Sequence, residues 1–317
     1  MTRDLDLVAT CFEQIARRDM LLKELSRWQI GGPAELVLSP RSAEELGAIL
    51  RLLNECGLRY AVVGDGSNIL FDDSGYRGVI LRIGSAFSKF ELHQEGQVTA
   101  GAGLWVPDYT RRVIRAGLSG CVHAIGIPGR LGGLIAMNGG SQRRGIGENL
   151  VKATVVRTDG EIITLDQEAC NFSYRSSRMQ KSGDIVIEAS FSYEVCDVSS
   201  LRREALAILI ERNRKFPRKL PNCGSVFLSN PKMYDEVGPP GRAIEQVGLK
   251  GYRYGGAQLS LHHANFIVNN GSATSSDILA LIALARRRVA DQTGYFMDCE
   301  VRYLEPEGAF RMAHEVA

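Results

Sequence analysis

The sequence predicts an α+β protein with more than one packed unit, and three observations support this. The chain has 317 residues, more than a single hydrophobic core usually holds. Strand-like and helical segments alternate over residues 35–82, whereas residues 90–193 are mainly strand-like with one helical insertion. A helix over 199–215 then leads into a further region with its own strands and a long helix. We expect two subdomains, 1–84 and 85–198, a smaller α+β domain, 199–304, and a tail, 305–317.

The first subdomain is predicted from a strand–helix–strand pattern. Glu35–Leu38, Tyr60–Val63 and Gly78–Arg82 are short apolar runs typical of buried strands. Residues 42–56 are amphipathic and begin with Ser42-Ala-Glu-Glu45, a pattern that caps the start of a helix. This region is therefore expected to form a small α/β unit.

The second subdomain is expected to be mainly a sheet. Its predicted helix covers 106–116, and Asp159-Gly160 stands between two alternating apolar runs. Such a dipeptide predicts a two-residue hairpin with a type I′ turn, which needs positive φ at both central positions. The predicted strands are 97–100, 151–158, 161–165 and 185–193.

The third region begins with a helix that follows Asp197 and ends before Pro217, because proline lacks the N–H that a helix interior needs. A turn-rich stretch follows. Further helices are predicted at 242–247 and 276–292, and strands at 264–268 and 299–304. The residues after Pro306 are expected to be loose.

Composition excludes several classes of protein. The net charge is +2, from 38 basic and 36 acidic residues, which favours neither nucleic acid nor a membrane surface as a partner. No apolar run reaches the roughly 20 residues of a membrane span, and the acidic N-terminus is unlike a signal peptide, so a cytoplasmic location is expected. The seven cysteines form no C-x-x-C pair, which indicates reduced thiols rather than disulfides or a structural zinc site.

Two glycine-dense segments carry the strongest functional signal. They run from Val62 to Leu70 and from Gly126 to Gly140. Glycine lets bare backbone approach a bulky ligand, and Ser67, Asn68 and Asn138 add polar side chains. The pattern G-x-G-x-x-G of a Rossmann fold is absent from the first segment. Together the segments indicate a bound dinucleotide held by a different fold.

Several short motifs, in this order and spacing, resemble the UDP-N-acetylenolpyruvoylglucosamine reductase (MurB) family of peptidoglycan synthesis. The resemblance covers residues 20–304 and implies an FAD-binding module of the PCMH, or vanillyl-alcohol-oxidase, type made of two subdomains, followed by a substrate-binding domain. The motifs are Trp28–Ala34, Gly64–Leu70, Gly126–Gly129, Gly132-Gly133, Met137-Asn138, Tyr174–Ser177, Gly224–Phe227 and Cys299–Val301.

The resemblance implies non-covalent FAD, NADPH as the reductant, and a UDP-sugar substrate whose enolpyruvyl ether is reduced to a lactyl ether. The expected enzyme serves cell-wall biogenesis, and with it cell shape and division, as a monomer. The implied cofactor-binding residues are Gly64, Asp65, Gly66, Ser67, Asn68, Ile69, Gly126, Ile127, Pro128, Gly129, Gly132, Gly133, Asn138 and Gly139.

The resemblance also implies catalytic roles. Arg175 would bind the enolpyruvyl carboxylate, Ser225 would donate a proton, and Glu300 would stabilise the enol-like intermediate. Without the resemblance, Arg175 is a surface arginine, Ser225 a turn serine and Glu300 part of a solvated strand face. The UDP phosphates are assigned either to Lys250 with Arg253 and Tyr254, or to Lys232 with Tyr234, while Tyr174 is a further substrate contact.

Three functions stay open on the sequence. The first is this reductase. The second is a paralogous flavin reductase or oxidase that acts on a different enoyl acid or sugar. The third is a non-catalytic protein that binds a nucleotide sugar. We also expect no metal site, because His262 and His263 are adjacent and have no further ligand at suitable spacing.

Overall fold

The computed structural model describes the backbone of residues 2–317, and the side chains of all of these except Thr2, Pro231 and Lys232. The chain divides into two compact units. The first comprises the chain up to Arg17, Leu36–Asp65 and Ile80–Arg212. The second comprises Arg18–Glu35, Gly66–Val79 and Asn213–Ala317.

Helices and strands are mixed along the described chain. The helices are α1 Thr2–Cys11, α2 Ala43–Glu55, α3 Val106–Arg115, α4 Leu131–Ala136, α5 Arg178–Ser182, α6 Val198–Lys215, α7 Pro231–Glu236, α8 Pro240–Gln246 and α9 Ser275–Thr293. The strands are β1 Ala16–Leu21, β2 Pro33–Leu38, β3 Tyr60–Val63, β4 Ile69–Phe71, β5 Tyr76–Arg82, β6 Phe90–Leu92, β7 Gln97–Gly101, β8 Leu150–Val156, β9 Ile162–Asp166, β10 Ile185–Ser192, β11 Arg253–Tyr254, β12 Ala257–Leu259, β13 Ile267–Asn269, β14 Arg302–Leu304 and β15 Phe310–Met312. One sheet has the strand order β1-β2-β5-β3.

An antiparallel sheet with the strand order β6-β7-β10-β8-β9 forms the centre of the first unit. The first three residues of β10 are all buried, and from Ile187 onward buried and more exposed residues alternate. Helix α3 is fully buried at Tyr109, whose hydroxyl lies 2.5 Å from that of Tyr193. Helix α6 packs its Leu201, Ala205 and Ile208 beside α3. The apolar faces of α3 and α6 therefore pack against each other in the first unit.

The second unit has two small sheets and the long helix α9. Their strand orders are β11-β12-β13 and β15-β14-β4, with β14 parallel to β4. Helix α9 begins with a capping box in which Thr274 accepts from the Asp277 N–H, and it ends at Gly294 with φ of 76°. Its buried face includes Ile278, Leu281 and Ile282, which belong to the core of this unit. Trp28 lies in the same core, and its indole N–H donates to the Ile267 carbonyl at 2.7 Å.

The predicted helices over 106–116, 199–215 and 276–292 are present within about one residue at each end.

Two strands are shorter than expected. Strand 264–268 is found only at 267–269, because Phe266 makes turn hydrogen bonds with His263 and Ser260. Strand 299–304 is found only at 302–304, because residues before it pair with the segment around Val226 instead.

The hairpin at Asp159-Gly160 is present, but its turn differs from the prediction. Only Gly160 has positive φ, 82°, and Asp159 does not. The Arg157 N–H donates to the Glu161 carbonyl, so three residues form the loop. Asp159 accepts from the Glu161 N–H through its side chain, which favours a turn of ordinary φ followed by a left-handed glycine.

The last residues are ordered rather than loose. Strand β15 pairs with β14 through Arg302 opposite Met312, and a 3-10 turn covers Ala313–Glu315. Ala313 is fully buried in the core of the second unit. Among residues 2–317, no helix combines the length and the apolar content that crossing a membrane requires.

Candidate active site

The second glycine-rich segment has one packed face and one bare face in the first unit. A Cβ at Gly132 would lie 2.7 Å from that of Ala102, so α4 packs directly on the loop before α3. A Cβ at Gly133 would meet nothing within 4 Å. Ile127 and Pro128 are half-buried rather than covered. This face therefore leaves main chain accessible to a bulky ligand.

The first glycine-rich segment meets the second one at Gly64. A Cβ at Gly64 would lie 3.3 Å from Cγ of Arg130, whose Nη1 donates to the Gly103 carbonyl at 2.8 Å. A larger residue at position 64 would therefore press on a side chain that is already held in place. The two segments that predicted a dinucleotide site are thus neighbours in the first unit, although they are far apart in sequence.

The rest of the first segment, Gly66–Leu70, belongs to the second unit. A Cβ at Gly66 would lie only 1.9 Å from the Leu25 carbonyl oxygen, and φ of Gly66 is 55°. Asn68 has a contact that the sequence did not indicate. Its Nδ2 donates to the Glu300 carbonyl at 2.9 Å, and its own carbonyl accepts from the Arg302 N–H. Asn68, predicted as a cofactor ligand, therefore also holds the backbone of a predicted catalytic residue.

Asn138 is similarly engaged with protein in the first unit. Its φ is 43°, a left-handed conformation that asparagine tolerates better than most residues. Its Nδ2 donates to the Ser173 carbonyl at 2.9 Å, and its Oδ1 accepts from the Gly147 N–H at 3.1 Å. Asn138 thus joins the second glycine-rich segment to the turn that carries Arg175.

Arg175 lies at the tip of a tight turn. Ser173 and Ser176 exchange both backbone hydrogen bonds, at 3.0 and 3.1 Å. Arg175 has φ of 54°, which is uncommon for an arginine and is tolerated where surrounding contacts enforce it. Its Nη2 donates to the Gly140 carbonyl at 2.9 Å, and neighbouring Tyr174 is 59 % exposed. The turn therefore holds a permanent cation beside the second glycine-rich segment.

Ser225 and Glu300 are brought together in the second unit, although 75 residues separate them in sequence. The Glu300 N–H donates to the Val226 carbonyl at 2.8 Å, directly after Ser225. Before Ser225, Gly224 has φ of 80° and donates its N–H to Oδ1 of Asn222. Both predicted catalytic side chains are half-buried. A hydroxyl and a carboxyl are thus presented by two paired segments.

The structure describes some, but not all, of the side chains that are predicted to contact the substrate. Tyr234 is 40 % exposed, and its hydroxyl donates to Oγ of Ser229 at 3.2 Å. Lys250 forms an ion pair with Glu245 at 2.8 Å. The side chain of Lys232 lies outside the described residues. The roles of all these residues in binding the substrate stay predictions.

His123 is a buried residue near this region that sequence reasoning missed. It is 1 % exposed, and its Nδ1 accepts from the Ser141 N–H at 3.4 Å. Its carbonyl accepts from the Ser141 hydroxyl at 2.6 Å. Burial, helped by the charge of Arg144, lowers the pKa of His123 to about 4. The neutral ring of His123 therefore links the residues just before the second glycine-rich segment to the residue just after it.

We expect the free energy of unfolding to fall between pH 6.5 and pH 4 because of His123. The unfolded chain binds a proton in this range while the folded chain does not, so stability is present above the ordinary pKa and is lost on acidification. The cost at pH 5 is ~2 kcal/mol. His123→Asn keeps an acceptor for Ser141 but does not titrate, so denaturant unfolding should show a smaller change from pH 7 to pH 5. His93→Asn, at an exposed histidine, is the control, and equal pH dependence in wild type and His123→Asn would contradict the assignment.

Comparison with known protein families supports the expectations from sequence. Residues 34–166 match a family described as an FAD binding domain. Residues 216–304 match the C-terminal domain of UDP-N-acetylenolpyruvoylglucosamine reductase. The protein of that name numbered 1 in Corynebacterium glutamicum is 48 % identical over 299 residues, 94 % of this chain and 89 % of its own. The chain belongs to the UDP-N-acetylenolpyruvoylglucosamine reductase family.

Further members of the reductase family are similar to this chain along most of their length. The reductase of Heliobacterium modesticaldum is 40 % identical over 89 % of this chain and 88 % of its own. The crystal structure of the Thermus caldophilus reductase (MurB) superposes with a TM-score of 0.76 at 30 % identity, covering 90 % of this chain and 98 % of that one. The expected family, the α+β fold and FAD as cofactor are therefore confirmed.

The structure of this reductase family member fits an FAD at the glycine-rich segments. The bare main chain at Gly133, with half-buried Ile127 and Pro128 before it, offers the close approach that a flavin nucleotide needs. Arg130 lies beside Gly64 on the same unit. No group of three or more histidine, cysteine or acidic side chains suited to a metal ion occurs among the residues that the structure describes.

Proposed function

We propose that this chain reduces UDP-N-acetylglucosamine enolpyruvate to UDP-N-acetylmuramate with NADPH as the reductant, in peptidoglycan precursor synthesis. The observation that carries the proposal is the 48 % identity to a protein named as this reductase, over 94 % of the chain. The pairing of the Ser225 and Glu300 segments also supports it, because both residues are assigned to the reaction. We further propose that the enzyme is a cytoplasmic monomer.

The cofactor and the substrate are assigned to different parts of the chain. The cofactor belongs to subdomains 1–84 and 85–198, and the match to an FAD binding domain within them supports this. The UDP-sugar belongs to residues 199–304, which contain the family's C-terminal domain. When bound, FAD would supply two-electron redox chemistry between NADPH and the enolpyruvyl group.

Arg175 is the proposed partner of the substrate carboxylate. Its guanidinium is permanently charged and presents two parallel N–H donors, a geometry that matches a carboxylate. The turn between Ser173 and Ser176 and the bond to Gly140 hold it in place. Arg175 therefore binds the carboxylate and stabilises the negative charge that develops on it during reduction.

Ser225 is the proposed proton donor, and Glu300 stabilises the reacting group. Reduction at the methylene carbon makes the neighbouring carbon strongly basic, so that even a weakly acidic hydroxyl can protonate it. Ser225 gives its proton to that carbon, and the product is a lactyl ether. Glu300 acts on the enol-like intermediate. The backbone bond from Glu300 to Val226 keeps the two segments that carry these residues in fixed register.

Anaerobic half-reactions test the proposal. The FAD-loaded protein is reduced with NADPH, freed of excess reductant, and mixed with the enolpyruvyl substrate or, separately, with oxygen. We expect the substrate to restore the oxidised flavin absorbance rapidly and to gain two hydrogens by mass spectrometry. Reoxidation by oxygen alone would favour an oxidase. A protein that binds the UDP-sugar but holds no reducible flavin would favour the non-catalytic alternative.

A further inference from the structure

The buried residue Asn265 holds the segment that follows Ser225. Asn265 is 4 % exposed. Its Oδ1 accepts from the Phe227 N–H and its Nδ2 donates to the Phe227 carbonyl, both at 2.9 Å. Its backbone carbonyl accepts from the Val226 N–H at 2.9 Å. The side-chain amide thus takes the place of a peptide group in a neighbouring strand.

These bonds fix three successive peptide planes on the carboxyl side of Ser225. The Ser225–Val226 plane is held by the Asn265 carbonyl. The Val226–Phe227 plane is held on one edge by Oδ1 of Asn265 and on the other by the Glu300 N–H, at 2.8 Å. The next plane is held by Nδ2 of Asn265 and by the Asp298 carbonyl. The segment therefore lies between Asn265 and the strand segment that carries Glu300.

Before Ser225 the backbone is held less firmly, by a bond from the Gly224 N–H to Oδ1 of Asn222. Gly224 has φ of 80°, and a Cβ on it would meet nothing within 4 Å. A glycine in open space offers little resistance to rotation of the residue that follows it. The direction of the Ser225 side chain therefore depends on the peptide planes after it, and each of these is bonded to Asn265.

We propose that Asn265 is a positioning residue for the reaction, which aims the Ser225 hydroxyl and keeps it in register with Glu300. The inference rests on the proposed function, because it needs Ser225 to be the proton donor. Only a neutral planar group with one donor and one acceptor satisfies both polar groups of Phe227. An ionised aspartate would instead turn an oxygen toward the Phe227 carbonyl and leave a buried charge.

Asn269 offers a matched control. It is also 4 % exposed, its Nδ2 donates to the Trp28 carbonyl at 2.8 Å, and its Oδ1 accepts from the Gly271 and Ala273 N–H groups. Its partners are not bonded to the Ser225 segment. Changing either amide to aspartate removes a similar buried donor, so both variants are expected to lose stability, whereas only Asn265→Asp should affect proton donation.

The test compares half-reactions of the FAD-loaded, full-length enzyme. We expect flavin reduction by NADPH to stay within about twofold in both variants, and reoxidation by the enolpyruvyl substrate to slow on the order of 10²-fold in Asn265→Asp relative to Asn269→Asp. In a Ser225→Ala background, Asn265→Asp should cause no further slowing, because residues that act as a unit are not additive. Asn265→Ser, which introduces no charge, replaces Asn265→Asp if that variant does not fold.

Two further readouts separate positioning from general stability. A protonated aspartate carries one donor and one acceptor, so the rate of Asn265→Asp relative to wild type should recover as pH falls, while Asn269→Asp should show no such recovery. Hydrogen exchange of the Phe227 amide, which donates to the side chain of Asn265, should accelerate in Asn265→Ser and not in Asn269→Ser.

Each outcome decides the question. If Asn265→Asp is slowed no more than Asn269→Asp, or slows the Ser225→Ala enzyme by the same factor as wild type, the positioning role is wrong while the proposed function stands. If Ser225→Ala reoxidises at the wild-type rate, the proton-donor assignment fails, and the role of Asn265 fails with it.

Discussion

Replacing Ser225 with alanine is expected to leave reduction of the flavin by NADPH unchanged and to slow reduction of the enolpyruvyl substrate on the order of 10³-fold. Ser225 is half-buried, and the backbone of its segment is hydrogen-bonded on both edges. Loss of the hydroxyl should therefore neither create a large cavity nor change the conformation of the segment. Nothing else in that segment, Gly224–Phe227, carries a side chain that donates a proton. The loss should therefore fall on protonation alone.

Anaerobic stopped-flow absorbance measures the two steps separately. The reductive step is followed with NADPH, and the oxidative step with the enolpyruvyl substrate after reductant has been removed. Ser276→Ala makes the same chemical change at an exposed position of α9 and should leave both steps unaltered. A Ser225→Ala enzyme whose oxidative step matches that of Ser276→Ala would show that the proton comes from elsewhere.

Glycine density in the sequence predicted accessible backbone, but it did not distinguish which glycines are bare. Gly132 and Gly133 are adjacent, yet one packs against Ala102 and the other faces open space. Gly66 is required because the Leu25 carbonyl lies where its Cβ would be. These differences depend on contacts between segments distant in sequence. A local pattern of glycines contains no information about them.

The contacts of the asparagines at the site could not be predicted from the sequence for the same reason. The sequence placed Asn68 and Asn138 in motifs, and the family resemblance supplied a cofactor role for them. In the structure, Asn68 bonds to Glu300, 232 residues away, and Asn265 bonds to Phe227, 38 residues away. Buried amides satisfy whichever backbone groups the fold brings to them. Their partners become visible only once the segments have been brought together.

The second large effect is expected at Arg175. We expect Arg175→Gln to slow the oxidative half-reaction by about 10²–10³-fold and to weaken binding of the enolpyruvyl substrate, because the proposed cationic partner of the substrate carboxylate is lost. Arg175→Lys should retain part of the rate, since it keeps the charge but cannot form two parallel bonds to a carboxylate. Flavin content should stay normal in both variants, because the turn is closed by Ser173 and Ser176 through their backbones.

The variants are compared by the rate of flavin reoxidation against substrate concentration, which separates binding from the chemical step. Arg157→Gln is the control, because Arg157 is an exposed arginine of the same unit that pairs with Glu161 and Asp159 at a hairpin. A substrate analogue that lacks the carboxylate gives a more specific test of what Arg175 binds. If Arg175 binds that group, the analogue should react equally slowly with wild type and Arg175→Gln. A variant that loses the same factor with both substrates would place Arg175 outside carboxylate recognition.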